Sequence, residues 1–288
     1  MRRKNPGMKK LLLLIVLLAL GAGGYWYWTR DNMPAPAQAA ANSDARVLIA
    51  AEQTAFLPLV CGGASTGSDG YAHNCTSLPG YPSSDYGGAG TGLGITLTSV
   101  ITGHLSDATA DEAYVSYQGS FESHADNFGG GILFAADGKG GWNLKKWVPG
   151  GAMDGCLSLN PQGRAKFLCV AGSTGQGETD TVLLAESIPE TQGTNLLTAS
   201  DLRQTMDPNA NCGLRKSAGQ DVLLGIDGIA RSGAGYALQI EYVPAAPAEA
   251  ACKSKNFANA PVSKTSLTLT WDGSAVHIAS GFNFAPSS

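Results

Sequence analysis

Ile95-Thr-Leu-Thr-Ser-Val-Ile101, Ala113-Tyr-Val-Ser-Tyr117, Gly131-Ile-Leu-Phe-Ala135 and Trp142-Asn-Leu-Lys-Lys-Trp-Val148 follow one another along the chain. Each is a short run of β-branched and aromatic residues bounded by Gly, Ser, Asp or Asn, the pattern of strands joined by turns. Asp137-Gly138 marks a tight hairpin between the last two. These four runs predict an antiparallel sheet, and the rest of the chain repeats the theme. A second set comprises Cys156–Leu159, Lys166–Val170, Thr181–Ala185 and Asn195–Thr198. A third comprises Val222–Ile226, Tyr236–Tyr242, Ser266–Trp271 and Ala275–Ala279, again with Asp272-Gly273 at its last turn.

The first and third sets share an order of strands and loops, so Val100–Gly150 is echoed by Leu223–Gly281. Nothing beyond residue 45 carries a long helical period. The expectation is therefore all-β, in repeated antiparallel four-stranded units of a small propeller-like kind. Counting Val47–Leu97 as a degraded first unit gives four. A β-sandwich is the alternative, because its strands recur at similar spacing. Arg46–Val60 is apolar enough for either a short helix or a strand pair.

The start of the chain sets the compartment. Arg2, Arg3, Lys4, Lys9 and Lys10 precede an uncharged run from Leu11 to Trp28 that closes on Tyr25-Trp26-Tyr27-Trp28. A run of about 18 residues at about 1.5 Å each just spans a bilayer core. Basic residues before the span and aromatics after it orient the N-terminus to the cytoplasm. The expected organisation is a basic tail (1–10), a transmembrane helix (11–28), a Pro/Ala-rich linker (29–45) and an extracytoplasmic β domain (46–288). This places the chain at a bacterial inner membrane facing the periplasm. A cleaved secretory signal is the alternative, and the β domain is exported either way.

Six of the 19 basic residues and one of the 23 acidic ones precede Asn32, which leaves 13 against 22 in the exported part, a balance of about −9. Such a surface repels phosphate backbones, so nucleic acid is excluded as a partner. Six cysteines, all beyond the leader, read as three bridges in an oxidising space. Six cysteines allow 15 pairings. The nearest-neighbour scheme is Cys61–Cys75, Cys156–Cys169 and Cys212–Cys252. The turn signal Asn160-Pro-Gln-Gly163 supports the middle pair by folding two apolar runs back on each other.

Five features bear on chemistry. Glu122-Ser-His124-Ala-Asp126 sets three potential metal ligands on alternate residues, which in an extended chain share one face. Gly103-His-Leu-Ser106-Asp-Ala-Thr-Ala-Asp111-Glu-Ala-Tyr-Val115 resembles the Asp-rich calcium loop of FG-GAP propeller repeats. The resemblance implies ligands at Ser106 and Asp111, but His104 and Ala108 stand where that family has acids. Gly63-Ala-Ser65-Thr-Gly67 has the spacing of a nucleophile elbow without a helix signal after it. Gly87–Gly94 and Gly172–Gly177 lack the Lys-Ser/Thr of a phosphate loop. Tyr71, Tyr81 and Tyr86, with Trp142, Trp147 and Trp271, could stack on sugar rings, and opposite parity requires burial of at most one of Trp142 and Trp147.

No catalytic constellation is assembled in the sequence, and no cofactor is expected. The expected function is a non-catalytic binding module of the cell envelope. It would recognise a protein or a glycan through Tyr71, Tyr81, Tyr86, Glu122, His124 and Asp126. The alternatives are a metal-assisted hydrolase built on Glu122, His124 and Asp126, with Asp111 a further candidate ligand, and a structural envelope component.

Overall fold

A computed structural model describes residues 44–63, 65–66, 72–82, 93–122, 129–159, 166–175, 178–188, 194–215, 217–279 and 281–284. All of these belong to one compact unit, Ala39–Ser288. The leader, most of the linker, Tyr71, Tyr86, His124 and Asp126 lie outside the described residues. Among the described residues no helix is long and apolar enough to cross a membrane.

The chain is predominantly antiparallel β, in three sheets that follow one another along the sequence. The first contains β1 (Arg46–Val47), β2 (Ser65–Thr66), β3 (Ala72–Cys75), β4 (Leu93–Gly103), β5 (Glu112–Gly119), β6 (Gly129–Ala136) and β7 (Trp142–Pro149). Its order is β2-β3-β4-β5-β6-β7, with β1 also on β4. The second is β8 (Cys156–Ser158), β9 (Lys166–Gly175), β10 (Glu178–Ser187) and β11 (Thr194–Asp201). The third is β12 (Val222–Ser232), β13 (Gly235–Val243), β14 (Ser263–Trp271) and β15 (Val276–Ile278). Helix α1 (Ala50–Val60) precedes β2, the short α2 (Asn211–Leu214) precedes β12, and α3 (Ala245–Lys253) follows β13. All twelve strands read from the sequence are present.

Alternation along each strand sends neighbouring side chains to opposite faces, and the core clusters record which face meets what. Phe56 and Val60 of α1 pack with Ala113, Val115, Tyr117, Ile132 and Phe134 on one face of the first sheet. On its other face Tyr114, Leu133 and Val148 meet Cys156, Phe167 and Cys169 of the second. Leu157, Leu168 and Leu183 on the far face of the second meet Leu223, Leu238, Ile240, Leu267 and Leu269 of the third. Val222, Leu224 and Val243 on the outer face of the third pack with Ala248 of α3 and with Phe257. The result is a stack, helix–sheet–sheet–sheet–helix. Among the described residues the first and third sheets share no cluster, and no closure of the sheets into a ring is seen. The described residues of the segment counted as a fourth unit supply α1 and the short strands β1 to β3, which join the first sheet.

The glycine run at the start of β6 follows from close packing. A Cβ on Gly131 would lie 2.1 Å from the ring of Tyr114, and one on Gly130 would lie 2.5 Å from the Val148 carbonyl and 2.9 Å from Tyr117 Oη. The two tyrosines of β5 thus lie over two successive glycines of the neighbouring strand, one on each face. Gly130→Ala forces a backbone atom aside in a dry interface, and we expect it to cost about 2 kcal/mol in chemical denaturation. Gly138, which sits in an exposed turn with open space around it at φ 72°, tolerates Asn at little cost.

A bulge overturns the parity argument for the tryptophans. Leu133 pairs with Lys146 but Phe134 pairs with Leu144, so Lys145 is the extra residue. The extra residue flips the alternation, and Trp142, Leu144 and Trp147 all join the α1-side cluster. Trp142 lies 5.3 Å from Phe56, and Trp147 donates its Nε1–H to the Pro79 carbonyl at 2.8 Å. Neither indole stands free as a platform.

All three bridges form in the nearest-neighbour scheme: Cys61–Cys75, Cys156–Cys169 and Cys212–Cys252. Cys156 and Cys169 sit opposite one another in the β8–β9 register, as the turn between them implied.

Candidate functional site

The register gathers several loops at one end of the first sheet. Ile95 pairs with Gly119, Gln118 with Gly129 and Gly130 with Pro149. The start of β4, the end of β5, the start of β6 and the end of β7 therefore lie side by side. The segment 83–92, which carries Tyr86, runs into β4 here. The segment 123–128, which carries His124 and Asp126, leaves β5 and returns to β6 at the same place.

Beneath these roots sits an aromatic plug. Tyr81 contacts Trp147 and Phe121 edge-on, with ring centroids 5.2 and 5.0 Å apart. Tyr117 meets Trp147 at 5.1 Å and stacks on Phe121 at 6.0 Å. Centroid spacings of this size are those of filled aromatic packing, which leaves no slot between the rings for a ligand. Tyr81 is half-buried in the plug, so its ring anchors the start of 83–92. Ser120 ties the two roots together: its amide donates to the Gly94 carbonyl, and its hydroxyl accepts from the Gly94 amide, both at 2.9 Å.

Glu122 is 6% exposed, and its Oε1 accepts a hydrogen bond from the Tyr117 hydroxyl. Burial, and then this carboxylate, push the Tyr117 phenol far above its ordinary range. The side chain of Glu122 thus faces the plug. Of the three alternate-residue ligands only this one is described, and its Oε1 is engaged by Tyr117.

The loop between β4 and β5 is organised by a residue not singled out in the sequence. Glu112 is 2% exposed. Its Oε2 accepts from the consecutive amides of Leu105, Ser106 and Asp107 at 3.0, 2.5 and 3.1 Å, and its Oε1 accepts from the Ser106 hydroxyl at 2.5 Å. Burial raises the carboxyl's pKa and the four donors lower it; the donors prevail, so it titrates below its ordinary range. Three converging N–H groups form an anion nest, occupied by the chain's own carboxylate. A calcium loop needs converging oxygens instead. Here Ser106 is committed to Glu112, and Asp111 is 82% exposed beside His104 at 3.4 Å. The geometry does not carry the resemblance to FG-GAP calcium loops. An Asp or Glu immediately before a strand, preceded by a Gly/Ser/Asp-rich loop, was the available signal for Glu112.

Ser65 lies on the two-residue β2, after helix α1 and before β3, and among the described residues no helix follows it as a nucleophile elbow requires; the rest of the motif lies outside the described residues. One further acid stands out. Glu186 has its carboxylate within 4.8 Å of both sulfurs of Cys156–Cys169, between the first and second sheets. Bridged sulfurs offer no thiolate to a metal, so this trio is not a metal centre as it stands. Burial raises the Glu186 pKa. An acid raised in the folded state carries no penalty below its unfolded pKa and an increasing one as pH rises through the folded value. Glu186→Gln should therefore melt higher than the parent at pH 8, with the difference vanishing near pH 4 in a thermal-unfolding series.

Comparison of the chain with protein-family models, with curated proteins and with solved structures finds no match to any of the three.

Proposed function

We propose that the chain is a non-catalytic binding module of the bacterial envelope, exported and held at the periplasmic face of the inner membrane by residues 11–28. Its partner would be a protein or glycan met by the segments 83–92 and 123–128, through Tyr86, His124 and Asp126. The observation that carries this reading is that both segments are rooted side by side on a filled aromatic plug. A rigid base under adjacent polar loops is the usual construction of a recognition surface. Two further points support it. The buried carboxylates Glu112 and Glu122 hold structure rather than face a cleft, and three disulfides suit an oxidising compartment.

The test is photocrosslinking in intact cells with a benzophenone side chain at position 86 or 126. Discrete adducts at these sites, and none from position 262 on the third-sheet side, are the expected result. Metal analysis of the purified full chain provides the opposing outcome. A stoichiometric transition metal that His124→Ala removes would replace the binding reading with the hydrolase.

A further inference from the structure

The second sheet holds a cluster that the binding reading leaves unused. Cys156 and Cys169 face one another across β8 and β9, with their Cα atoms 4.1 Å apart. Cys169 is in turn opposite Leu184 of β10, and alternation returns Glu186, two residues on, to the same face. That face packs against the first sheet. There the Glu186 carboxylate and both sulfurs lie within 4.8 Å of one another. Glu186 is part-buried opposite Phe167, where it loses hydration that an apolar residue would not. A bridge alone gives no reason for an acid at this position. Cys156 and Cys169 are 1% and 2% exposed. β8 has only three residues and ends its sheet, so local opening of one short edge strand brings the bridge within reach of a reagent.

We propose that, once this bridge is reduced, Cys156, Cys169 and Glu186 form a binding site for a thiophilic divalent cation of the zinc class. Cysteine sulfurs and carboxylate oxygens are both zinc ligands, and three protein donors with one open position is a form that zinc sites take. Calcium and magnesium take oxygens instead. Tetrahedral bonds of about 2.3 Å to sulfur and about 2.1 Å to oxygen set neighbouring donors about 3.5–3.8 Å apart. The cluster is already near that spacing, and only the sulfurs must separate once their bond is gone. The fourth position falls to water on the side where Glu186 meets solvent. Opening the bridge takes an external dithiol. One of its thiolates attacks a sulfur and displaces the other, and its second thiolate then frees the first. The reagent leaves as a cyclic disulfide, oxidised by two electrons, and its two protons stay on the cysteines. They pass to solvent as the ion binds.

The experiment uses the full chain in detergent micelles. It is reduced with excess dithiol, freed of reagent and metal by anaerobic gel filtration, and given zinc or cadmium alone. Zinc should shield Cys156 and Cys169 from alkylation by iodoacetamide, read by peptide mapping, and leave Cys61, Cys75, Cys212 and Cys252 as reactive as before. Cadmium should add an ultraviolet thiolate-to-metal band that the Cys156→Ser/Cys169→Ser double variant lacks. Glu186→Gln should weaken zinc about a hundredfold, since losing a ligand costs no less than losing a residue that only supports one. Circular dichroism shows whether the reduced chain keeps its sheets. Where it loses them, zinc should restore them, because an ion held only by the folded site stabilises the fold. Absence of selective shielding, shielding as strong in Glu186→Gln as in the parent, or a reduced chain that zinc leaves unfolded would each overturn the proposal. The bridged chain offers no thiolate, so metal found without a reductant bears on His124 and not on this site.

Discussion

Replacing Cys212 and Cys252 together by serine should cost about 4 kcal/mol of stability, the largest loss expected of any bridge. The other two double replacements should cost about 3 kcal/mol each. The difference comes from the length of chain each bridge closes. Cys212–Cys252 spans 40 residues, against 14 for Cys61–Cys75 and 13 for Cys156–Cys169. In the chain-entropy account the unfolded state loses more freedom when a longer loop is closed. Position adds to this. Cys212 lies on α2 and Cys252 on α3, and both pack on the cluster of Val222, Leu224, Val243 and Phe257 that covers the outer face of the third sheet. Cys156–Cys169 joins two strands already paired, and Cys61–Cys75 ties the end of α1 to β3 beside the hydrogen bonds between Gly62 and residues 76 and 77. Asn211, fully buried, is a local reinforcement: its amide donates to the Ser200 carbonyl at 3.0 Å and its Oδ1 accepts from Leu202 at 2.9 Å. Urea unfolding of the three double variants checks the ranking. A smaller loss for Cys212/Cys252 than for either short bridge would refute the loop-length argument.

The strands were legible because turn residues and β-branched runs are local signals. Their assembly into layers was legible too, in a feature that the propeller reading passed over. Ala113–Tyr117, Ile132–Phe134 and Phe167–Cys169 are nearly continuous apolar runs, and all are buried on both faces. Ser266-Leu-Thr-Leu-Thr-Trp271 instead alternates, with Leu267 and Leu269 inward and Ser266, Thr268 and Thr270 exposed. A strand that alternates has one wet face and belongs to an outermost sheet. The extra strands β1 to β3 hold only two to four residues each, below any periodicity. The helix α3 was not singled out in the sequence, where Pro244-Ala-Ala-Pro247-Ala-Glu carries two prolines. Both sit where a helix tolerates proline, before its first residue and in its first turn, and Asp221 Oδ1 accepts from the Ala245 amide at 2.9 Å from outside the helix. What underlies the candidate site was not legible in the sequence. The plug joins Tyr81, Tyr117, Phe121 and Trp147, residues up to 66 positions apart, by contacts that no local pattern encodes.

Glu112→Ala should cost about 3 kcal/mol at pH 7, the largest loss expected from any single substitution in the described residues that changes no cysteine. It strips four donors of their acceptor at once, three of them consecutive amides in the loop between β4 and β5. Hydrogen bonds to a charged group are worth about 1.5–3 kcal/mol each, but this set is cooperative and part of the loop can rehydrate, so the loss falls well below four times that value. The pH dependence separates this mechanism from simple loss of packing. The carboxyl of Glu112 is lowered from its ordinary 4.5 in the folded chain. Its contribution is therefore complete above that value and drains away as the pH falls through the folded pKa. The gap between parent and Glu112→Ala should narrow below pH 4.5, whereas a cavity would leave it constant. Glu112→Gln, which keeps the shape and one carbonyl oxygen but not the charge, should recover part of the loss; its gap to the parent should narrow over the same pH range, while its gap to Glu112→Ala stays constant. Glu186→Gln runs in the opposite sense, gaining stability at high pH. Two acids of the same stack thus report opposite fates of a buried carboxyl: Glu112 is stabilised as the anion by the amides folded around it, and Glu186, raised by burial, favours its proton. A pH series in which both variants moved in the same direction would mean that net charge, rather than these local partners, governs the stability of the stack.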